Sequence, residues 1–455
     1  MKLNVAVLAA GKGTRMKSSL PKVLHRLAGK PLLFHVLDTA RSLGCKNLEV
    51  VIGFGAEQVE EALANQDVHV VLQREQLGTA HAVQQTMEYL EDDAVLIVLY
   101  GDVPLIKAAT LQSLVAQVDD NSMSVLTCIV KNPTGLGRII RNERGQITRI
   151  AEEKDATDEE KRVDEINTGF MAIPVRRLKD WLPQISANNA QKEFYLTDLV
   201  EVALANGANV HTACCSDEQE VAGINDRVQL AALERKYQQD MTEDLMRSGV
   251  TMIDPARVDI RGNVVAAQDV EIDVNVILEG DISIGSGVKI GAGCILKNCR
   301  IGENTSVQPY TVIEDAVIGT QCQLGPFARI RPGTELKNAA KIGNFVEVKK
   351  SLIGEGSKVN HLSYVGDSEL GSDVNVGAGT ITCNYDGINK YKTTIGNGVF
   401  IGSNAVLVAP VTLEDNAFVA AGSTITKTVP SNQLGVGRSR QTNIDGWKRP
   451  DTRNK

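Results

Sequence analysis

The stretch Leu8-Ala9-Ala10-Gly11-Lys12-Gly13-Thr14-Arg15-Met16 sets two glycines beside a lysine and an arginine, directly after an aliphatic run. Backbone N–H groups of such a turn can approach phosphate oxygens while the cations offset their charge. It is not a Walker loop, since no Gly-Lys-Ser/Thr closes it. Nor is it the dinucleotide fingerprint, since Met16 stands where the third glycine belongs. Pro21-Lys22 adds a further cation, and a later aliphatic run ends in Tyr100-Gly101-Asp102. A carboxylate at that edge can hold Mg²⁺, although a turn-forming aspartate would read the same way. Magnesium bridging phosphate oxygens, with Lys and Arg offsetting transition-state charge, is the apparatus of phosphoryl or nucleotidyl transfer. A separate candidate is His361, in Val359-Asn360-His361-Leu362-Ser363-Tyr364, the only histidine after His211. A base of near-neutral pKa can take a proton from an amine that attacks a thioester, worth roughly 10²–10⁴-fold in rate. The plainer reading of a lone histidine is an exposed bystander.

Two kinds of element must position these residues. Short aliphatic runs at Asn4–Ala9, Leu48–Ile52, Val68–Leu72, Ala94–Leu99 and Ser124–Val130 alternate with helical stretches at Pro31–Leu43, Ala56–Ala64, Thr79–Glu91 and Lys107–Val118. The alternation predicts a Rossmann-like α/β domain with a mostly parallel sheet, binding ligands beyond the carboxyl ends of its strands. The stripe Leu230, Leu233, Tyr237, Met241 and Leu245 predicts one helix over Asp226–Ser248. At 1.5 Å per residue it is about 34 Å long, a rigid connector.

Beyond it a six-residue period takes over, from Ile284-Gly285 and Ile290-Gly291 to Ile395-Gly396 and Ile401-Gly402. Neither a helix nor an ordinary strand has that period; a coil of very short strands does. Three hexads per turn give ~9–10 coils and a prism roughly 45 Å long. The count slips by one residue at Leu296–Arg300, Ile313–Val317, Val348–Leu352 and Val365–Glu369, which we read as corner adjustments. Thr382–Thr394 puts thirteen residues into one hexad. Insertions in solenoids map to loops, often on the binding face, so this loop is a site candidate on spacing alone. The domains expected are 1–225, a connecting helix 226–249, a β-helix 250–430 and a basic tail 431–455.

Composition narrows the function class. A net charge of −8 argues against nucleic-acid binding, which needs a basic footprint; the local exception is Lys427–Lys455, with seven Lys or Arg against two Asp. No stretch approaches the ~20 apolar residues of a membrane span, and Asn4–Ala10 is too short for a signal core. The eight cysteines contain no CxxC pair and read as idle thiols of a reducing cytosol, so a cytoplasmic protein is expected.

LAAGKGTRM, PKVLH, QLGTAHA, YGDVPL, PTGLGRI, EINTG and GIND together resemble the sugar-nucleotide pyrophosphorylases. With the ladder attached, the resemblance narrows to the bacterial bifunctional N-acetylglucosamine-1-phosphate uridyltransferase/glucosamine-1-phosphate acetyltransferase family, over essentially the whole chain. It implies that acetyl-CoA acetylates glucosamine 1-phosphate. The N-acetylglucosamine 1-phosphate formed then attacks the α-phosphorus of UTP, giving UDP-N-acetylglucosamine for peptidoglycan and lipopolysaccharide synthesis. By the same resemblance Leu8, Ala9, Ala10, Gly11, Gln73, Gly78 and Thr79 hold the nucleotide, with Tyr100 and Gly101 beside it. Arg15 and Lys22 meet phosphates, Asp102 and Asn225 ligate Mg²⁺, and Gly137, Glu152 and Asn167 bind the sugar.

For acetyl transfer the resemblance makes His361 the base, with Glu347 a candidate partner. Arg331 and Lys349 take the phosphate of glucosamine 1-phosphate. Tyr364, Asn375, Asn384 and Tyr385 line the sugar and acetyl pockets, and Ala378, Ser403, Ala421 and Arg438 contact acetyl-CoA. It also implies a left-handed β-helix and a homotrimer with active sites between prisms. Two other readings stay open at this point: a pyrophosphorylase whose solenoid serves only assembly or regulation, and a catalytically dead scaffold.

Overall fold

The computed structural model describes residues 2–450. Two compact units divide between Tyr237 and Gln238. The first is built on β1 (Lys2–Ala9), α1 (Leu32–Ser42), β2 (Asn47–Ile52), α2 (Ala56–Leu63), β3 (His69–Leu72), α3 (Thr79–Gln84), β4 (Ala94–Tyr100) and α4 (Ala108–Val115). There follow β5 (Ser122–Ile129), β6 (Arg138–Arg141), β7 (Ile147–Ala151), β8 (Glu165–Pro174), α5 (Val175–Trp181), α6 (Leu199–Ala205) and β9 (Asn209–Cys215). The main sheet runs β9-β5-β8-β4-β1-β2-β3. β1 is parallel to β2 and β4, β2 to β3, and β5 to β9. β8 runs antiparallel between β4 and β5, and it also pairs with β6 of the β6–β7 hairpin. The sheet is therefore mixed, with its parallel half carrying the glycine-rich turn. Apolar side chains on both faces build two cores, one around Val7, Val50 and Ile97, the other around Leu96, Val98 and Trp181, as the continuous aliphatic runs require.

The helix α7 (Arg227–Arg247) is unbroken, and its apolar stripe is divided. Leu233, with Leu230 and Tyr237, packs with Met16, Leu27 and Leu32 of the first unit. Leu245, with Met241, packs into the core of the second. Gln238 is held on both sides of its amide by Ile260: its Nε2 donates to the carbonyl at 2.8 Å and its Oε1 accepts from the N–H at 2.6 Å.

The second unit is a parallel β-helix of very short strands. Its first face is an eleven-stranded ladder with Ile272, Ile290, Val307, Leu324, Ile342, Val359, Val376, Ile401 and Val419 in register. Most turns advance 17 or 18 residues. The turns of 17, such as Ile290 to Val307 and Ile342 to Val359, are those that contain the four one-residue slips. At the centre of each slip a single left-handed residue makes the corner: Asn298, Asp315, Lys350 and Asp367, with φ of 43 to 48°. The slips thus tighten one corner of the prism. The turn from Val376 to Ile401 spans 25 residues and contains the thirteen-residue insertion.

Candidate functional site

In the first unit the chain leaves β1 at the carboxyl edge of the sheet and enters the glycine-rich turn. A cleft of about 400 Å³ opens there, lined by Leu8, Ala9, Ala10, Gly11, Lys22, Gln73, Gly78, Thr79, Tyr100 and Asp102. Lys12, the lysine of the glycine-rich turn, also lines it, as do Val23, Gln76, Ala82 and Glu193, which were not foreseen. Gln76 and Ala82 open and close QLGTAHA, so that motif was the available signal; Glu193 had none. Gln73 is buried, and its Nε2 contacts the Gly78 carbonyl and His81 Nδ1, both at 3.1 Å. Thr79 Oγ1 accepts from the Leu196 N–H at 2.9 Å, which fixes the start of α3. Arg15 is exposed on the short helical turn Thr14–Met16, outside the lining.

Asp102 and Asn225, far apart in sequence, meet because the Ile224 N–H donates to the Asp102 carbonyl at 3.0 Å. Both side chains converge on one cation, the Lys22 ammonium. Lys22 Nζ pairs with Asp102 Oδ2 and donates to Asn225 Oδ1 at 3.2 Å. Two oxygens already focused on a positive charge fit a hard divalent cation. Among the described residues no three His, Cys, Asp or Glu groups converge as a metal site, so substrate oxygens would have to complete the shell.

The sugar candidates form a connected set. The Asn167 N–H donates to the Gly137 carbonyl at 2.8 Å. A Cβ on Gly137 would stand 3.5 Å from both Glu152 carboxylate oxygens, so the glycine leaves that carboxylate open. Thr197 Oγ1 donates to Glu152 Oε1 at 3.1 Å. Burial pushes the Glu152 carboxyl above its usual range, against the Thr197 hydrogen bond. Thr197 was not foreseen, and nothing local in the sequence marks it.

On the prism, Glu347 and Tyr364 stand in register within the seventeen-stranded sheet that forms the rest of the coil, and the Arg331 N–H donates to the Val348 carbonyl, next to Lys349. Arg331 Nη1 donates to Glu347 Oε1 at 2.6 Å. Glu347, expected beside His361, thus serves the arginine instead. The histidine's partner is Asn344, one coil below: His361 Nδ1 lies 3.0 Å from Asn344 Oδ1. An amide oxygen accepts, so Nδ1 is the donor in this contact and Nε2 is the nitrogen it leaves unengaged. A Cβ on Gly366 would meet Tyr364 Oη at 2.3 Å, so only glycine lets that ring lie across the face.

His361 sits at one corner of this face, beside Leu362. Ala378, Ser403 and Ala421 follow up the same corner, each before a turn residue, Gly379, Asn404 and Gly422. The Gly379 N–H donates to the His361 carbonyl at 3.3 Å, the Asn404 N–H to Ala378 at 2.7 Å and the Gly422 N–H to Ser403 at 2.8 Å. Arg438 comes next, its Cδ 4.0 Å from the place of a Cβ on Gly422. Asn375 stands one coil up on the first face. The inserted loop leaves the opposite corner: Asn384 is buried with its Nδ2 on Asp367, and Tyr385 is exposed and bridged to Lys390. Within one prism, Lys349 and Tyr364 belong to one ladder and His361 ends the strand of the neighbouring ladder, before the corner at Leu362; Asn384 follows the strand that pairs one coil above Tyr364. The last five residues of the basic tail lie outside the described residues.

Residues 5–160 match the MobA-like NTP transferase domain, 260–336 the GMPPB C-terminal domain, and 392–427 the bacterial transferase hexapeptide of six repeats. With the hexapeptide match, the coil is a left-handed parallel β-helix. The chain is 54% identical over 98% of its length to a bifunctional protein GlmU of Cellvibrio japonicus, covering 99% of that protein. It is 52% identical over 98% to that of Marinobacter nauticus, again covering 99%. A solved nucleotidyl transferase from Methanothermobacter thermautotroptrophicus aligns with 52% of this chain and 99% of its own, at 21% identity and a TM-score of 0.39.

Proposed function

The chain belongs to the family of bifunctional GlmU proteins, and from that premise we propose how its residues divide two reactions. It is a bifunctional enzyme. It acetylates glucosamine 1-phosphate from acetyl-CoA, then transfers UMP from UTP to N-acetylglucosamine 1-phosphate with release of pyrophosphate. For the second reaction the cleft beneath the glycine-rich turn takes UTP, with Gln73, Gly78 and Thr79 at the nucleotide and Arg15 and Lys22 at phosphates. Gly137, Glu152 and Asn167 orient the sugar so that its phosphate oxygen attacks the α-phosphorus in line with the departing pyrophosphate. Mg²⁺ held by Asp102 and Asn225 would neutralise charge on the phosphate oxygens. No side chain acts as a covalent nucleophile, because the substrate phosphate supplies that role.

For acetyl transfer, Arg331 and Lys349 offset the phosphate of glucosamine 1-phosphate beneath Tyr364. His361 Nε2 removes the proton as the amine attacks the thioester carbonyl and the coenzyme thiolate leaves. Acetyl-CoA runs up the corner of small residues Ala378, Ser403 and Ala421 towards Arg438, and Asn375 bounds the sugar pocket. The observation that supports this reading is the Asn344–His361 contact, which engages Nδ1 and leaves Nε2 as the nitrogen to take the proton.

Asn384 and Tyr385 sit at the far corner, and the face is open, so a neighbouring prism completes the site. A column of exposed Tyr310, Phe327, Phe345 and Leu362 along the His361 corner supports a homotrimer. All eight cysteines are free, which suits a reducing cytoplasm, and no described helix is long and apolar enough to cross a membrane. The test is a coupled assay with glucosamine 1-phosphate, acetyl-CoA, UTP and Mg²⁺. UDP-N-acetylglucosamine should form only when acetyl-CoA is present, unless N-acetylglucosamine 1-phosphate is supplied. Product formed from glucosamine 1-phosphate without acetyl-CoA would contradict it.

A further inference from the structure

Arg138 is 1% exposed, among the largest fully buried side chains of the first unit. A buried guanidinium is costly unless paired and hydrogen-bonded. Its Nη2 lies 2.8 Å from Glu153 Oε2 and 3.4 Å from the Lys161 carbonyl, and its Nη1 donates to the Leu136 carbonyl. The same Glu153 oxygen accepts from the Gly135 N–H at 3.0 Å. That amide, and after it Arg138, hold the Glu153 carboxyl below its usual range. One carboxylate therefore ties the Pro133–Gly137 loop to the end of β7 through both a backbone amide and a buried cation.

Each half of this pair is the chain neighbour of one half of the sugar site: Gly137 precedes Arg138, and Glu152 precedes Glu153. Their spacing matters, because Glu152 faces Gly137 across the distance a side chain would fill, and Asn167 hangs on the Gly137 carbonyl.

We propose that Arg138 and Glu153 are positioning residues for uridylyl transfer, setting the gap between Gly137 and Glu152 in which the sugar of N-acetylglucosamine 1-phosphate lies. Neither touches substrate. The proposal rests on the assignment of Gly137, Glu152 and Asn167 to the sugar. It concerns only that substrate, since UTP is held by the glycine-rich turn and by Gln73 to Thr79.

The test is steady-state kinetics on the full chain. Glu153→Ala should raise KM for N-acetylglucosamine 1-phosphate about tenfold, the scale of a lost charge-assisted hydrogen bond, with KM for UTP within about twofold. Acetyl transfer by the same preparation should be unchanged, which reports the fold of the second unit, while the KM for UTP reports that of the first. Glu153→Gln keeps an oxygen for Gly135 and Arg138, and should stay within about threefold of the parent. Glu152→Ala is run beside them. If it leaves KM for the sugar phosphate unchanged, the sugar assignment itself fails. If Glu152→Ala raises that KM while Glu153→Ala does not, or if Glu153→Ala raises both KM values together, the positioning role is overturned.

Discussion

His361 is oriented by one contact. An imidazole facing water on both nitrogens would sample two tautomers, whereas the Asn344 amide oxygen, an acceptor, selects the tautomer with its proton on Nδ1. Asn344 lies 17 residues before His361, one coil of that stretch, and the two are register partners. It could have been found by subtracting one coil from the histidine. Glu347, which the resemblance offered as the partner, pairs with Arg331 instead. Glu49 shows burial acting without a partner. It is 1% exposed and both its oxygens lack a hydrogen bond, and burial pushes its carboxyl from 4.5 up to about 7. Between those values the unfolded chain gives up a proton that the folded chain keeps, so the contribution of Glu49 to stability falls as pH rises through that window. Glu49→Gln should accordingly be nearly neutral at acid pH and stabilising above pH 7, by on the order of 3 kcal/mol at most. Thermal melts at pH 5 and pH 8 check this, and an equal gain at both would contradict it.

At the scale of elements, the left-handed corners explain what the period alone left open. One corner carries Asn298, Asp315, Lys350 and Asp367, tightened by the one-residue slips. The corner of His361 changes character along its length. Below the histidine it carries Tyr310, Phe327 and Phe345, stacked at centroid distances of 5.2 and 5.3 Å with planes 7° and 9° apart; above it come Gly379, Asn404 and Gly422. Bulk suits packing against another prism, and small residues leave a trough for a coenzyme. Phe327→Glu should therefore reduce the assembly to monomers in light scattering. Acetyl transfer should fall about tenfold or more while uridylyl transfer stays within about twofold; a trimer that persists would contradict the assignment.

The coils and the parallel half of the sheet were legible because hexads and continuous aliphatic runs state their own period. The antiparallel insertion of β8 was not, because hydropathy carries no strand direction. Nor was the β6–β7 hairpin, whose RIIR and ITRIA segments are broken by charge. The cleft beneath the first turn was legible from motifs, with Glu193 and Thr197 missed because folding alone brings them in.

The chain passes from one unit to the next within a single helix, whose apolar stripe serves the first unit up to Tyr237 and the second from Met241 onward. The proposed division gives each unit the groups of one reaction. Asp102, Asn225 and Lys22 share a point in the first; in the second His361 pairs with Asn344 on one ladder, and Arg331 pairs with Glu347 beside the strand of Lys349 on the next. The two chemistries should therefore be separable by single substitutions. The most direct measurement assays both half-reactions on His361→Ala and Asp102→Ala in the full chain. His361→Ala should lose acetyl transfer by at least about 10²-fold with uridylyl transfer nearly intact, and Asp102→Ala should do the reverse. Acetyl transfer within about threefold of the parent in His361→Ala would contradict the account, because the loss of a general base cannot be that small.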